Sequence, residues 1–506
     1  MTPRPYQLEA IGAINGGFRE FDRLLAVLPT GAGKTILFSW LAEQFVPKRT
    51  LILAHREELI DQAIDKIKVT TGLSADKEKA EFRASRDSQI VVASVQSMIR
   101  RLDRWPKDHF GLVVADEAHH AISESWQKVL SHFQAKVLGC TATPDRGDRR
   151  NLGEYFESVA IDVPLVRLIK ERYLCPITIK SVPLKIDLSK VHLLAGDFAD
   201  AELGHLLEPY LLTIARSIRD HASFRKVLAF LPLIDTSKKF EEACNQVGLV
   251  AKHVDGGSED RKECLERFAN GEFDVLTNAM LLTEGYDDPS IDCILVLRPT
   301  KSRPLFAQMV GRGTRIHPTK DNLLLLDFLW LHERHRIVHP ADLLAKDEEE
   351  ADIITELAEE RSKNGFDPEQ LDLINLAGCA TQERERKLRE KLAAMADRKA
   401  KYISADQFCL DHNNLDAAFY EPTMKWESQG VTQKQMKYLE EAKINPDTIK
   451  GRGHASALLD IIFKNKDLQL ATHKQRFMMA QHGHPNAWLA NRAEARKFFA
   501  QLNKKK

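Results

Sequence analysis

Runs of apolar residues alternate with amphipathic stretches from the start of the chain to about residue 330. Short apolar runs of this kind are typical of parallel strands that are buried on both faces. The first series is LLAVLP (24–29), TLILA (50–54), QIVVAS (89–94), LVVAD (112–116) and KVLGCTA (136–142). The second series is KVLAFL (226–231), LVAKHV (249–254), FDVLTNA (273–279), DCILVL (292–297) and NLLLLDF (322–328). With the amphipathic segments between them as crossover helices, such as 34–46 and 56–69, the pattern predicts two tandem α/β domains with parallel sheets.

The pattern changes after about residue 340. The segments 346–363 and 383–402 are charged and helix-prone, which predicts helical connectors. In the last hundred residues TQKQ (432–435) recurs as THKQ (472–475), and ASALLDIIF (455–463) is echoed by AEARKFFAQL (493–502). This spacing predicts two stacked helical units, with chance similarity as the alternative. The predicted division is 1–165 and 206–340 for the α/β domains, 166–205 for their connection, 341–405 for a charged helical linker and 406–506 for a basic α-helical accessory region.

Charge is unevenly distributed along the 506 residues. Lysine plus arginine equals aspartate plus glutamate at 73 each, so the overall charge indicates no partner. Residues 431–506, however, carry eleven Lys and four Arg against three Asp and three Glu. A basic tail behind an acidic body is typical of a nucleic-acid contact, although a solvated helical surface would have the same composition.

Several classes of protein are disfavoured by the sequence. The N-terminus MTPRPYQLEAIG lacks the basic and apolar regions of a signal peptide, and no apolar run approaches the roughly 18 residues of a membrane helix. Seven cysteines occur singly without a CxxC pair, which favours a reducing cytoplasm over a disulfide framework or a zinc site. In HERHRIVH (332–339), a solvated basic cap is favoured over a metal site.

The segment LPTGAGKT (28–35) follows the first predicted strand and opens the first long helix, as a phosphate-binding loop does. Gly31 and Gly33 allow the backbone to turn its N–H groups toward phosphate oxygens. Lys34 supplies a positive charge for the β- and γ-phosphates, and Thr35 supplies a hydroxyl for Mg²⁺. The first glycine of the longer form of this motif is replaced by Leu28.

A second motif, DEAH (116–119), ends the strand LVVAD. Asp116 is expected to hold Mg²⁺, and Glu117 to orient and deprotonate the attacking water. An acidic pair at the end of a strand is common, but a phosphate-binding loop in the same sheet makes it a strong signal. His119 is expected to relay the nucleotide state toward TATP (141–144).

The motifs RPYQ (4–7), PTGAGKT (29–35), LAHREELI (53–60), DEAH, TATP, TEGYDDP (283–289) and QMVGRGTR (308–315) occur in the order and spacing of superfamily 2 helicases. Over about residues 1–330 the chain resembles this family, and within it the RadD-type helicases and the motor subunits of type I and type III restriction enzymes. The resemblance implies two RecA-like domains that use ATP and Mg²⁺. The sequence contains neither the C-terminal cysteine cluster of RadD-type relatives nor a recognisable nuclease motif.

The resemblance also implies roles for individual residues. Arg312 and Arg315 would project from the second domain into the ATP cleft of the first and meet the γ-phosphate. Catalytic roles are implied for Lys34, Glu117, Arg312 and Arg315, and Mg²⁺ binding for Thr35 and Asp116. Nucleotide binding is implied for Arg4, Gln7, Thr30, Gly31, Ala32, Gly33, Lys34, Thr35, Gly285 and Asp287. Contacts with a nucleic-acid backbone are implied for His55, Arg56, Ser94, Gln96 and Thr277.

The sequence therefore predicts a cytoplasmic, Mg²⁺- and ATP-dependent DNA helicase or translocase. Its expected partner is single-stranded, forked or duplex DNA, with protein partners in repair or defence and no membrane. Two alternatives remain: an RNA-dependent ATPase, because the motor motifs do not read the sugar, and an ATP switch that remodels a protein complex without unwinding.

Overall fold

The structure is a computed structural model that forms two compact units, Met1–Ala380 and Thr381–Lys506. It describes residues 2–503 apart from 55–56, 143–151, 190, 195–196, 259, 280, 284–285, 332–337, 339, 346–349, 356, 358–370, 373–376, 385, 388–403, 413, 468–469, 472–474, 477, 480–481, 483 and 485–489. The first unit contains two sheets, and the segment around each sheet is called a lobe below.

The first lobe is built on a parallel sheet with the strand order β3-β4-β2-β5-β6-β1-β7. Its strands β1 to β7 are Arg23–Val27, Arg49–Ala54, Ala75–Glu78, Ile90–Ser94, Phe110–Asp116, Lys136–Thr141 and Ser158–Asp162. The central strands are buried along nearly their whole length, which explains why most of their positions are apolar and the charged residues stand only at their ends.

Several helices accompany this sheet. Helices α1 to α6 are Pro5–Gly17, Lys34–Gln44, Glu57–Thr71, Val95–Ile99, Glu124–His132 and Leu165–Lys170. Because all the strands are parallel, their carboxyl ends lie at one edge of the sheet, where the phosphate-loop, DEAH and Ser94 segments follow β1, β5 and β4. The fold thus gathers the sequence motifs of the first lobe at one edge.

The second lobe has a sheet with the strand order β12-β13-β11-β14-β15-β8-β16. Its strands are β8 Ile177–Asp187, β11 Val227–Phe230, β12 Ala251–Val254, β13 Val275–Asn278, β14 Cys293–Val296, β15 Leu323–Leu331 and β16 Leu371–Asp372, of which β16 runs antiparallel to β8. A two-stranded sheet is formed by β9 Leu193–Leu194 and β10 Asp197–Phe198. The helices α7 to α11 are Asp200–Leu207, Leu211–Ala222, Ile234–Gln246, Arg261–Ala269 and Arg303–Gly311.

The predicted fold class of two parallel-sheet α/β domains is confirmed, and all ten predicted strands are present. The predicted connection at 166–205 requires a correction, since Ile177–Asp187 is a long strand paired with β15 in the second sheet. The end of the first unit, Ala380, falls inside the predicted linker 341–405. Ala341, Ile354 and Ala377 share a small buried cluster there. Most of the charged segments 346–363 and 383–402 lies outside the described residues.

The second unit contains helices α12 Ala405–Asp411, α13 Leu415–Ala418, α14 Gln433–Glu441, α15 Arg452–Asp467 and α16 Arg492–Asn503. A buried cluster unites α12 with α14 and α15 through Phe408, Leu439 and Leu458. The two similar segments 455–463 and 493–502 both lie in helices, α15 and α16. Among the described residues, no helix has the combination of length and apolar character that crossing a membrane requires.

Candidate active site

The phosphate-binding loop follows β1 and leads directly into α2 at Lys34. Gly31 has φ 87° and Gly33 has φ 77°, a left-handed conformation that glycine adopts without steric cost. A side chain at position 33 would also lie 2.9 Å from the amide nitrogen of Gln7. The turn leaves the N-terminus of α2, with its partial positive charge, at the carboxyl edge of the sheet, which is a favourable place for a phosphate.

The start of α1 holds this loop from the side. The hydroxyl of Tyr6 donates to the carbonyl of Ala32 at 2.6 Å, and Nε2 of Gln7 donates to the same carbonyl at 3.3 Å. Oε1 of Gln7 accepts from the backbone N–H of Arg4 at 2.9 Å. The guanidinium of Arg4 lies 5.4 Å from the ring centre of Tyr173. Arg4 and Gln7, the predicted nucleotide contacts outside the loop, therefore lie beside it.

Glu117 and Lys34 form an enclosed ion pair, with Nζ of Lys34 2.9 Å from Oε1 of Glu117. Burial raises the pKa of Glu117, but the positive charges of Lys34, His119 and Arg312 outweigh burial and lower this pKa to about 2. Burial lowers the pKa of Lys34, but the charges of Glu117 and Asp116 more than compensate and raise it. Both side chains are therefore charged at neutral pH.

The backbone of Glu117 is strained. Its φ of 51° and ψ of 58° are left-handed, which is uncommon for a residue with a side chain. Such a conformation costs on the order of 1–3 kcal/mol and is found most often at functional sites. Here it occurs immediately after β5, at the residue that meets Lys34.

The candidate Mg²⁺ ligands are an aspartate and a threonine. Asp116 ends β5, and its Oδ1 accepts from the backbone N–H of Glu117 at 3.0 Å, while Thr35 is the second residue of α2. The described residues contain no group of three His, Cys, Asp or Glu side chains that could hold a metal ion. A carboxylate and a hydroxyl nevertheless fit Mg²⁺, because this ion is commonly bound by one or two protein oxygens together with substrate phosphates and water.

The second lobe contacts the phosphate loop directly at the end of α11. Nε2 of Gln308 lies 3.4 Å from Oε2 of Glu117. A Cβ atom at Gly311 would be 2.3 Å from Cβ of Thr30, so the backbone of the second lobe lies against the loop where no side chain intervenes. The hydroxyl of Thr314 donates to the carbonyl of Thr30 at 3.4 Å. These contacts define the seam, which is the surface where the two lobes meet around residues 30–34.

Arg315 and Asp287 meet at this seam. Nη1 of Arg315 lies 2.5 Å from Oδ1 of Asp287, and Nζ of Lys66, from α3 of the first lobe, lies 3.0 Å from Oδ2 of the same carboxylate. Burial raises the pKa of Asp287, but the charges of Arg315 and Lys66 outweigh burial and lower it. A Cβ atom at Gly31 would be 3.6 Å from Cγ of Arg315. Arg315 thus lies against the phosphate loop, and Asp287 pairs with a cationic side chain from each lobe.

Arg312 has a different environment from the one that the sequence suggested. It is 7% exposed, and its guanidinium donates to the carbonyl of Thr283 at 3.0 and 2.7 Å and to that of Tyr286 at 2.8 Å. These bonds hold the segment that leads to Asp287. Its charge still reaches the seam, since it contributes to the lowered pKa of Glu117.

The predicted nucleic-acid contacts are not all at the surface. Ser94 is buried and caps α4 by accepting from the N–H of Ser97 at 3.3 Å, whereas Gln96 is exposed. Thr277 is fully buried, and its hydroxyl is 2.9 Å from that of Ser237. This burial is at odds with a direct contact between the Thr277 side chain and a strand. His55, Arg56 and Gly285 lie outside the described residues.

Six residues described at or beside the phosphate loop and the seam were not assigned from the sequence: Tyr6, Lys66, Tyr173, Gln308, Gly311 and Thr314. Tyr6 lies inside the quoted motif RPYQ, and Gln308, Gly311 and Thr314 lie inside QMVGRGTR, so the motifs contained a signal for them. Lys66 is a polar position in an ordinary amphipathic helix, and nothing in the helix pattern separates it from other solvated lysines.

Comparisons with known proteins agree with this arrangement. Residues 1–146 match the family described as "Type III restriction enzyme, res subunit", and residues 209–317 match the "Helicase conserved C-terminal domain". A protein of Saccharomyces cerevisiae named as an ATP-dependent helicase, IRC3, is 34% identical over 352 residues, which are 64% of this chain and 51% of that protein. The chain spans about half the length of the curated relatives it matches first.

Two solved structures share the fold. A fragment of an HsdR subunit of a type I restriction enzyme from Vibrio vulnificus YJ016 has a TM-score of 0.53 at 24% identity, covering 64% of each chain. The ATP-dependent Type ISP restriction-modification enzyme LlaBIII bound to DNA has a TM-score of 0.55 at 16% identity, covering 100% of this chain and 43% of that one. The chain therefore contains both domains of a helicase, and it resembles the superfamily 2 helicases and the motor subunits of restriction enzymes.

Proposed function

We propose that this protein hydrolyses ATP at the seam between its two lobes and uses the energy to move along or unwind DNA. The observation that carries the proposal is the convergence of both lobes on one phosphate loop. Lys34 and Glu117 come from the first lobe, and Gln308, Gly311 and Arg315 come from the second. Hydrolysis that needs both lobes is coupled to their relative movement, and this coupling is what a nucleic-acid motor requires.

The charges at the seam suggest how ATP would engage these groups. Glu117 holds the ammonium of Lys34, and Asp287 holds the guanidinium of Arg315. A triphosphate carries more negative charge than either carboxylate and therefore competes for both cations. Withdrawal of Lys34 from Glu117 removes the strongest of the positive charges that lower the pKa of this carboxylate. A carboxylate with a higher pKa is a better acceptor for the proton of the attacking water.

Thr35 and Asp116 would hold Mg²⁺, which neutralises charge that develops on the phosphates during transfer. The roles of the protein groups are separate from this contribution. Glu117 orients and deprotonates water, Lys34 and Arg315 bind phosphate from opposite lobes, and Arg312 keeps the loop before Asp287 in place. Tyr6 and Gln7 support the phosphate loop through the carbonyl of Ala32, and the backbone N–H of Arg4 holds the side chain of Gln7 in place.

Single-stranded DNA is expected to stimulate ATP hydrolysis by the full-length protein, since strand binding and lobe closure are coupled in this proposal. The measurement compares steady-state turnover with no nucleic acid, single-stranded DNA, duplex DNA and single-stranded RNA. Stimulation by RNA and not by DNA would favour an RNA-dependent ATPase. Turnover that is indifferent to every nucleic acid would contradict the proposal and favour a switch that remodels proteins.

The basic C-terminal region is proposed to add affinity for DNA by neutralising phosphates. Lys434 and Lys437 are exposed and three residues apart on α14, so they lie on one face of this helix. Truncation at residue 430 would be a poor test, because it removes Leu439 and Leu458 from the cluster that also contains Phe408. Substitution of the two lysines leaves this core intact.

The double variant Lys434→Gln/Lys437→Gln is expected to bind DNA more weakly and to reduce the slope of log affinity against log salt by about two, one for each phosphate that is no longer neutralised. The control is Lys128→Gln/Lys262→Gln, which removes two exposed lysines from the first unit. Equal slopes for the two double variants would contradict a contact between α14 and DNA.

A cytoplasmic location stays a prediction from the cysteine pattern.

A further inference from the structure

The loop 79–88 follows β3, the edge strand of the first sheet, and is called the β3 loop here. In the sheet order β3-β4-β2, Glu78 at the end of β3 lies beside Ala93, and Ser94 lies beside Ala54. The segments that follow β2 and β4 contain His55, Arg56 and Gln96, which are predicted contacts with the nucleic-acid backbone. The β3 loop is therefore the next segment along the same edge of the sheet, on the side away from the phosphate loop.

The β3 loop is anchored by a buried carboxylate. Glu78 is 0% exposed, and its Oε2 accepts from Nη1 of Arg104 at 2.9 Å and from the backbone N–H of Ala84 at 3.1 Å. Arg101 also contacts the carboxylate of Glu78, and its Nη1 donates to the carbonyl of Phe82 at 2.9 Å. Two arginines from the first lobe thus fix both the start of the loop and the backbone of Phe82.

Further bonds shape the tip and tie it to the neighbouring helix. Lys79 and Phe82 exchange backbone hydrogen bonds of 2.8 and 3.2 Å, which close a tight turn. The N–H of Ala80, inside this turn, donates to the hydroxyl of Ser97 on α4 at 3.1 Å. The loop is consequently fixed next to Gln96, the exposed member of the predicted contacts.

At the end of β3 and in the β3 loop, the exposure of side chains is the reverse of the usual pattern, in which charged groups are exposed and aromatic rings are buried. The carboxylate of Glu78 is buried, whereas the aromatic ring of Phe82 is 48% exposed. The ammonium of Lys77 lies 4.7 Å from the centre of the ring, and Arg83 and Arg86 are exposed farther along the loop.

Lys77 is also paired with Asp61 at 2.9 Å, and Glu81 and Asp87 are exposed in the loop, so the cations that remain for phosphates are Arg83 and Arg86. An exposed ring on an anchored backbone, with arginines beside it, can bind single-stranded nucleic acid, because bases stack on the ring and phosphates pair with the guanidinium groups.

We propose that the β3 loop binds a single nucleic-acid strand, with Phe82 stacking on a base and Arg83 and Arg86 contacting phosphates. This inference rests on the proposed function, since it extends the same strand-binding edge. It assigns the loop a base contact that is independent of sequence, because every base offers a face for stacking.

The test uses the full-length protein and two fluorescein-labelled DNA probes of equal length, oligo-dT and a strand of abasic residues that keeps only the sugar-phosphate backbone. Phe82→Ala is expected to weaken binding of oligo-dT by about 5- to 150-fold, the range for loss of one base–aromatic stack, and to leave binding of the abasic strand unchanged. Phe82→Trp is expected to retain the affinity of the native protein for oligo-dT. Anisotropy titrations measure the affinities, and the thermal midpoint verifies that each variant is folded.

Phe224→Ala is the matched control, because Phe224 is fully exposed and lies before β11 in the second lobe, at the amino edge of its sheet. Arg83→Gln is expected to weaken binding of both probes and to reduce the salt slope by about one. Equal oligo-dT affinities for Phe82→Ala and Phe224→Ala would overturn the inference and leave the proposed function standing. An equal loss for Phe82→Ala on both probes would exclude stacking, and a native protein that binds neither probe would remove the proposed function itself.

Discussion

Arg315→Gln is expected to reduce nucleic-acid-stimulated ATP turnover by about 10³-fold or more, the range for loss of an arginine that meets the transferred phosphoryl group. The reason is its position, since Arg315 belongs to the second lobe but lies against Gly31 of the phosphate loop. Its guanidinium is held by Asp287 rather than by the backbone, so a phosphate can compete for it. Steady-state ATPase assays with saturating single-stranded DNA measure the effect.

The matched control is Arg267→Gln. Arg267 also forms an ion pair within the second lobe, 2.8 Å from Glu272, but on the surface of α10. This variant is expected to keep native turnover, because exposed pairs contribute only about 0–1 kcal/mol to stability. If Arg315→Gln turned over ATP as fast as Arg267→Gln, the seam would not be the site of hydrolysis and the proposed motor would be refuted.

Glu117→Gln is expected to retain ATP binding and to lose about 10²- to 10⁴-fold in turnover, the contribution of a positioned general base. Glutamine has the shape of glutamate but cannot accept the proton of the attacking water. Binding is expected to persist because Lys34, no longer paired with a carboxylate, remains available to phosphate. Single-turnover hydrolysis and binding of a fluorescent ATP analogue separate the two effects.

Glu124→Gln is the control for this substitution, because Glu124 is an exposed glutamate on α5 of the same lobe. The pH profile gives a second test. The pKa of Glu117 is lowered to about 2, so its carboxylate stays charged as the pH falls through the usual range for glutamate. The ratio kcat/KM should therefore show no acid limb from Glu117 above about pH 3, since this ratio reports groups of the free enzyme. Native turnover in Glu117→Gln would reject this residue as the base.

The fold was predictable where strands are buried on both faces, because the apolar run itself marks the strand. Of the strands that were not predicted, two show a clear physical reason. ADKE (75–78) is an edge strand of mostly charged residues. Its one buried residue is Glu78, whose charge is compensated by ion pairs with arginines, so the segment lacks the apolar run that marks a strand. ITIKSVPLKID (177–187) contains a proline, which argues against a strand in the interior of a sheet.

The site was predictable to the extent that parallel strands end at one edge. This rule brings Lys34 and Glu117 together from segments 83 residues apart. It gives no information about partners that are backbone carbonyls, so the bonds of Arg312 with Thr283 and Tyr286 could not be anticipated. It is equally silent about Lys66, whose contact with Asp287 depends on how the two lobes meet.

The contact between Lys66 and Asp287 makes the attraction between the two lobes sensitive to the salt concentration. Their side chains are 38% and 30% exposed, against 11% and 12% for Lys34 and Glu117. Dissolved ions screen the more open pair and scarcely affect the enclosed one. A rise in ionic strength is therefore expected to weaken the attraction between the two lobes while the carboxylate of Glu117 stays ionised. The contact between the lobes and the ionisation of the catalytic residue thus respond to salt independently.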